Sequence, residues 1–199
     1  MQLSDRDGIT TRAREGEKSS ILQLLKFTIL ALLIITPFRF FVAQPFIVSG
    51  ASMEPTIDPH EYLVIDQVTY RFEKPARGDV IIFRYPLDPA IFFVKRVIGL
   101  PGERIDIEDG SVRIWSAEGV EHILTEPYAR EGGATGRDDS ITLDTDEYFV
   151  LGDNRAESSD SRTWGPVQES YIVGRALARL FPFKEAGIFP GAYSFPDDE

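Results

Sequence analysis

The segment Ser49-Gly50-Ala51-Ser52-Met53-Glu54-Pro55-Thr56 sets a serine hydroxyl among small residues and a proline. A hydroxyl is a poor nucleophile unless a neighbouring group removes its proton, and the usual partner is histidine. The chain has two histidines and no cysteine. His60 stands in a Pro-His-Glu turn and His122 in a polar middle section; each reads as an ordinary surface histidine. The missing cysteines exclude thiol nucleophiles, disulfides and thiolate metal sites together. A lysine can take the place of histidine where burial disfavours its charged form. Lys95 has such surroundings, flanked by Phe92, Phe93, Val94, Val97 and Ile98. In a strand, Phe93 and Val97 would share its face. Lowering a lysine by roughly two pKa units costs about 2.7 kcal/mol, within reach of one protected apolar site. The alternative for Lys95 is a snorkelling side chain or a surface ion pair.

A third polar run extends from Gly152 through Asp153, Asn154, Arg155, Ser158, Ser159, Asp160 and Ser161 to Arg162. On its own it reads as a tight turn in which Asn and Asp side chains bond the backbone. Its acidic spacing does not match a calcium loop, and neither metal nor cofactor is expected.

These residues need elements to position them. From Ile21 to Val42 the sequence is mostly apolar, densest at Phe27 to Phe38, with Lys26 and Arg39 towards its ends. About 20 such residues cross a bilayer. The expectation is a tail over 1–20, a single transmembrane helix over 21–43 and a β-domain over 44–199. A cleavable signal peptide is the competing reading, but Phe38 to Gln44 offers no pair of small residues at cleavage spacing. Arg6, Arg12, Arg14 and Lys18 precede the span, which puts the N-terminus in the cytoplasm and the domain outside. The chain from Val42 to Ser52 can extend no more than about 35 Å, so Ser52 stays near the bilayer.

Beyond the anchor, short runs with β patterning recur: Tyr62 to Val68, Val80 to Tyr85, Phe92 to Ile98, Arg104 to Ile107, Val112 to Trp115 and Tyr148 to Leu151. The fold class is therefore mainly β. The runs Arg104-Ile105-Asp106-Ile107 and Val112-Arg113-Ile114-Trp115 alternate around Glu108-Asp109-Gly110-Ser111 as a hairpin does. Residues 104–147 read as a small insertion of hairpin and loop, polar and glycine-rich from about Trp115 to Asp146. Tyr171 to Phe181, with Gly174 and alanines inside it, reads as a closing strand, with a short helix as the alternative. A net charge of -11 argues against nucleic acid, whose phosphates need Lys and Arg, and anionic lipid should repel the domain. Any membrane contact must then be apolar. Leu180-Phe181-Pro182-Phe183 and Ile188-Phe189-Pro190 could supply some, although core or interdomain packing is their ordinary reading.

Taken together, Ser52-Met53-x-Pro55-Thr56, Arg77-Gly78-Asp79-Val80-Ile81-Ile82-Phe83, Lys95-Arg96-Val97-Ile98-Gly99-Leu100-Pro101-Gly102, Gly152-Asp153-Asn154-Arg155 and Ser158-Ser159-Asp160-Ser161-Arg162 resemble the motif series of bacterial type I signal peptidases, in the family's order. The resemblance implies an antiparallel β-sheet domain of the signal-peptidase and self-cleaving-repressor type. It implies a serine endopeptidase of the bacterial plasma (inner) membrane that removes signal peptides from exported preproteins after Ala-x-Ala sequences, near the secretion machinery. Ser52 would be the nucleophile and neutral Lys95 the general base. The N–H of Ser52 would serve the oxyanion hole. Some members add a serine hydroxyl at the position of Gly50, so the second donor stays open here. Ser158 would hydrogen-bond the lysine, with Asp160 and Arg162 as a supporting ion pair. Substrate would pair as a strand with Phe46 to Ser49 and with the strand beside Lys95. Ile47, Val48, Met53 and Val94 are candidates for its shallow apolar pockets, with core packing as their alternative. The rival readings are an anchored domain that binds peptides without cutting them, a peptidase with one dedicated substrate, and a soluble self-cleaving repressor. The last would need a DNA-binding segment.

Overall fold

The computed structural model describes residues 21–36, 43–108, 110–117, 119–130 and 139–195. The chain divides into two compact units, Met1–Phe41 and Val42–Glu199. In the first, residues 21–36 form helix α1, whose leucines, isoleucines and Phe27 are exposed. Among the described residues no helix is long and apolar enough to cross a membrane. Residues 37–43 of the expected span include six, 37–42, that lie outside the described set, as does the 1–20 tail.

The second unit is built on strands β1 (Ala43–Ile47), β2 (Tyr62–Asp66), β3 (Val80–Tyr85), β4 (Asp88–Gly99), β5 (Arg104–Glu108), β6 (Ser111–Trp115), β7 (Glu121–Ile123), β8 (Asp139–Thr142), β9 (Glu147–Leu151), β10 (Val167–Gln168), β11 (Ile172–Phe181) and β12 (Gly187–Ile188). One sheet runs β1-β2-β11-β3-β4-β9-β10, with β12 beside β11. A second runs β7-β6-β5-β8. The pairings are antiparallel. The expected mainly β class and the closing strand at Ile172–Phe181 are both found.

The hairpin forms in the expected register, Arg104 opposite Trp115 and Glu108 opposite Ser111. Its alternation puts Ile105, Ile107, Val112 and Ile114 against Ile98, Phe149 and Leu151 of the large sheet. Each such burial stabilises the fold by about 1.5–3 kcal/mol. Where the chain leaves β4 for this hairpin, Arg77 grips Glu103 through two hydrogen bonds of 2.9 and 2.7 Å and donates to the carbonyl of Ile98. Within the polar stretch after Trp115, the described residues include β7 and β8, which extend the small sheet on either side. The alternation in Ser140-Ile141-Thr142-Leu143 was the available signal. Strand β2 stops at Asp66, short of the expected Val68, because the Asp66 carboxylate accepts from the N–H groups of Val68 and Thr69 and so caps the next turn.

The aromatic C-terminal segment differs from its ordinary reading. Phe183 is 83% exposed and Ile188 75%, with Leu180 and Phe181 about half open, so this segment is surface rather than core.

Candidate active site

Strand β4 positions the lysine. Its pairing with β3 sets Lys95 opposite Ile81 and Arg96 opposite Val80, and β9 closes its other edge. A side chain leaving the middle of such a sheet is cut off from water, and Lys95 is only 3% exposed. On its side lie Phe93, Val97, Ile81 and Phe83, an apolar cluster with Tyr148 and Val150. Nζ lies 5.1 Å from the centre of the Phe93 ring. Burial pushes the Lys95 pKa down to about 8, against the opposing pull of the Asp160 and Asp153 charges. Among the described residues it has no ion-pair partner.

Ser52 follows a glycine in the left-handed region, Gly50 at φ 98°. The turn brings Oγ of Ser52 to 2.7 Å from Nζ of Lys95, across 43 residues of sequence. Nζ also donates to the carbonyl of Val94 at 3.0 Å. A Cβ at Gly50 would meet nothing within 4 Å, so this position opens on free space and offers no hydroxyl. Among the described residues the N–H of Ser52 donates to no acceptor.

The run from Gly152 to Arg162 wraps this pair from behind. The Asn154 N–H donates to the carbonyl of Ser52 at 3.0 Å, and its side-chain amide to that of Ala51 at 3.1 Å. Gly152 admits no Cβ, which would collide with the Ser52 carbonyl and the Ser158 hydroxyl. Asp153 is locked in a fully buried pair with Arg96, at 2.6 and 2.9 Å. Arg96 also donates to the carbonyls of Gly78 and Gly191 and lies 3.7 Å from the centre of the Tyr128 ring. Arg155 reaches Glu126 with two hydrogen bonds of 2.8 and 2.6 Å. The expected pair of Asp160 and Arg162 is present at 2.8 Å. Asp160 further caps the short helix α2 (Ser161–Trp164) and accepts from the Gly152 N–H. The expected bond from Ser158 to Lys95 is not formed; the buried Ser158 hydroxyl has no partner among the described residues.

A groove of about 340 Å³ opens on the pair. Ile47, Val48, Gly50, Val94, Ser52 and Lys95 line it, so the expected pocket residues meet there with one exception. Met53 is fully buried in the cluster of Ile57, Leu63 and Val80 and does not line the groove. Its place after the nucleophile turn points its side chain inward. His60 and His122 are also absent from the groove lining. The sequence assigned no individual role to Arg96, Glu126 and Thr56, which brace Asp153 and Arg155; pairs 57, 29 and 97 residues apart leave no local pattern to read.

This arrangement, a hydroxyl against a buried amine of lowered pKa beside an open groove, is suited to acyl transfer. Residues 21–181 match the family described as signal peptidase, peptidase S26. The chain is 35% identical over 185 residues to Probable signal peptidase I-1 of Synechocystis, covering 89% of each chain. To Probable signal peptidase I-2 of the same organism it is 32% identical over 186 residues, covering 90% of this chain and 82% of the relative. A crystal structure of a signal peptidase I from Enterococcus faecalis is 33% identical, with a TM-score of 0.43, over 52% of this chain and 97% of that one. By a match across most of its length, carrying the serine and lysine that its fold brings together, the chain belongs to the signal peptidase family of S26 peptidases.

Proposed function

We propose that the protein is a membrane-anchored serine endopeptidase that removes signal peptides from exported preproteins. Ser52 is the nucleophile and Lys95 the general base. The observation that supports this reading best is the 2.7 Å approach of an amine that burial has moved towards neutrality. With the amine neutral, the hydroxyl donates its proton to Nζ as Oγ attacks the scissile carbonyl carbon. The oxyanion forms near the free N–H of Ser52, a donor of a kind whose loss costs about 3 kcal/mol in other enzymes. The ammonium of Lys95 then returns the proton to the leaving amine, and the peptide bond breaks. Water hydrolyses the acyl-enzyme with Lys95 again as base. Asn154 holds the two carbonyls on either side of the nucleophile's N–H, and Gly152 leaves room for that approach.

Substrate lies extended in the groove. Val48 already exchanges backbone hydrogen bonds with Glu61 and His60, so strand alternation turns the main-chain groups of its neighbours Ile47 and Ser49 the other way, where a further strand can pair. Val48 and Val94 shape shallow pockets that admit small side chains. The anchor is the apolar stretch over 21–43, with the N-terminus cytoplasmic and the domain outside. The exposed Phe183, Ile188 and Leu180 provide the apolar side chains with which this acidic domain meets lipid.

The test is cleavage of a signal-bearing precursor by the detergent-solubilised full chain. Ser52→Ala and Lys95→Ala should each lower kcat/KM at least about 1,000-fold while leaving the fold intact by circular dichroism. Full cleavage by either variant overturns the dyad. Failure of the wild type to cut any such precursor favours a domain that binds peptides only.

A further inference from the structure

Apart from the dyad and the hydroxyls of Ser49 and Ser159, the groove is lined by apolar and small residues and one carboxylate. Glu157 lines it, is exposed, and among the described residues its side chain has no ion-pair or hydrogen-bond partner. The other ionisable group in the lining is Lys95, which must be neutral to act. Glu157 therefore adds a negative charge at the groove wall, in a chain that is already acidic.

The backbone that carries Glu157 is fixed rather than loose. It ends the turn Arg155–Glu157, and its N–H donates to the carbonyl of Asn154 at 3.1 Å. Arg155 at the start of that turn is buried and clamped by Glu126 at 2.6 and 2.8 Å, and its carbonyl accepts from Arg162 at 2.8 Å. Ser158, the next residue, turns its hydroxyl into the interior. A charge held at a groove wall by so short and braced a turn acts on each substrate that enters.

We infer that Glu157 is a specificity-determining residue which favours a basic side chain, and disfavours an acidic one, at the middle position of the small-x-small sequence before the cut. This rests on the endopeptidase reading above. The position follows from strand alternation: in an extended segment the first and third residues before the cut turn into the apolar pockets, so the residue between them turns away from those pockets towards the rim. An exposed charge pair changes binding by about threefold, and attraction of Lys together with repulsion of Glu gives about tenfold between the two.

The test uses the full chain in detergent and three internally quenched peptides that differ only in carrying Lys, Gln or Glu between the two alanines before the cut. The wild type should give kcat/KM in the order Lys, Gln, Glu, spanning about tenfold at low salt. That span should shrink at about 0.5 M salt, where exposed charges are screened. Glu157→Gln should bring the Lys to Glu ratio close to one, and Glu157→Lys should invert it. A ratio unchanged in both variants overturns the assignment, and so does a wild type that cuts all three peptides equally. A wild type that cuts none of them overturns the endopeptidase reading itself and this inference with it.

Discussion

Lys95 and Arg96 are adjacent cations on one strand, both nearly closed to solvent, and the structure treats them in opposite ways. Arg96 points to the side where Asp153, two main-chain carbonyls and the Tyr128 ring wait for it, and its charge is matched. Lys95 points to the side of Phe93 and Val97, has a serine hydroxyl and one carbonyl for company, and its charge is not matched. Burial with a partner gives a brace, and burial without one gives a base. The two are coupled through one loop, because the Asp153 that satisfies Arg96 precedes the Asn154 that holds the nucleophile's backbone.

This contrast is sharpened by removing each cation in turn. Arg96→Met should destabilise the domain by about 3–5 kcal/mol, because it strands the Asp153 carboxylate in the interior, and activity should fall as the nucleophile loop loosens. Urea denaturation measures the first effect. A loss below about 1 kcal/mol would mean that Asp153 is reached by water. Lys95→Met should abolish cleavage yet raise stability at pH 7 by about 1–2 kcal/mol, since removing the unmatched charge outweighs two lost hydrogen bonds. A strongly destabilised Lys95→Met would contradict the unmatched charge.

The same difference has a pH signature. The Lys95 pKa is about 8 in the folded chain against an ordinary value of 10.5, so the unfolded chain binds the extra proton between those limits. Stability relative to Lys95→Met should therefore rise with pH from about 8 to about 10.5, by about 3 kcal/mol in all, and be flat below. Denaturant midpoints of the two proteins across that range check the slope. A smaller effect is expected of Asp160→Asn. The Asp160 charge holds the Lys95 pKa up, so its removal should move the midpoint of the rate profile to lower pH. A shift to higher pH would assign Asp160 another role.

How much of this was legible in the sequence varies with the range of the interaction involved. The hairpin of β5 and β6 could be read residue by residue, because period-2 alternation and a Gly-containing turn are local facts. The pairing of Ser52 with Lys95 was legible only through the succession of motifs, and the apolar neighbours of Lys95 gave the chemical reason. The fate of Arg96 was not legible, since nothing next to Lys95-Arg96 distinguishes a residue that will meet a carboxylate 57 positions away from one that will not. Met53 misled for a similar reason: sequence adjacency to a nucleophile does not say whether a side chain turns into the groove or into the core. The exposed Phe183 and Ile188 misled in the other direction, because apolar and aromatic content suggests burial, whereas Phe183 stands in the turn Phe183–Glu185 and Ile188 in the two-residue strand β12, which pairs with β11 off the main strand order.

The most direct test of the account is the pH dependence of kcat/KM for the full chain on a neutral peptide. If an unmatched, buried Lys95 is the base, the rate should rise from acid through a single ionisation with a midpoint near 8 and level off above it. A rate that is flat between pH 6 and 9, or that peaks near pH 5, would contradict a lysine base.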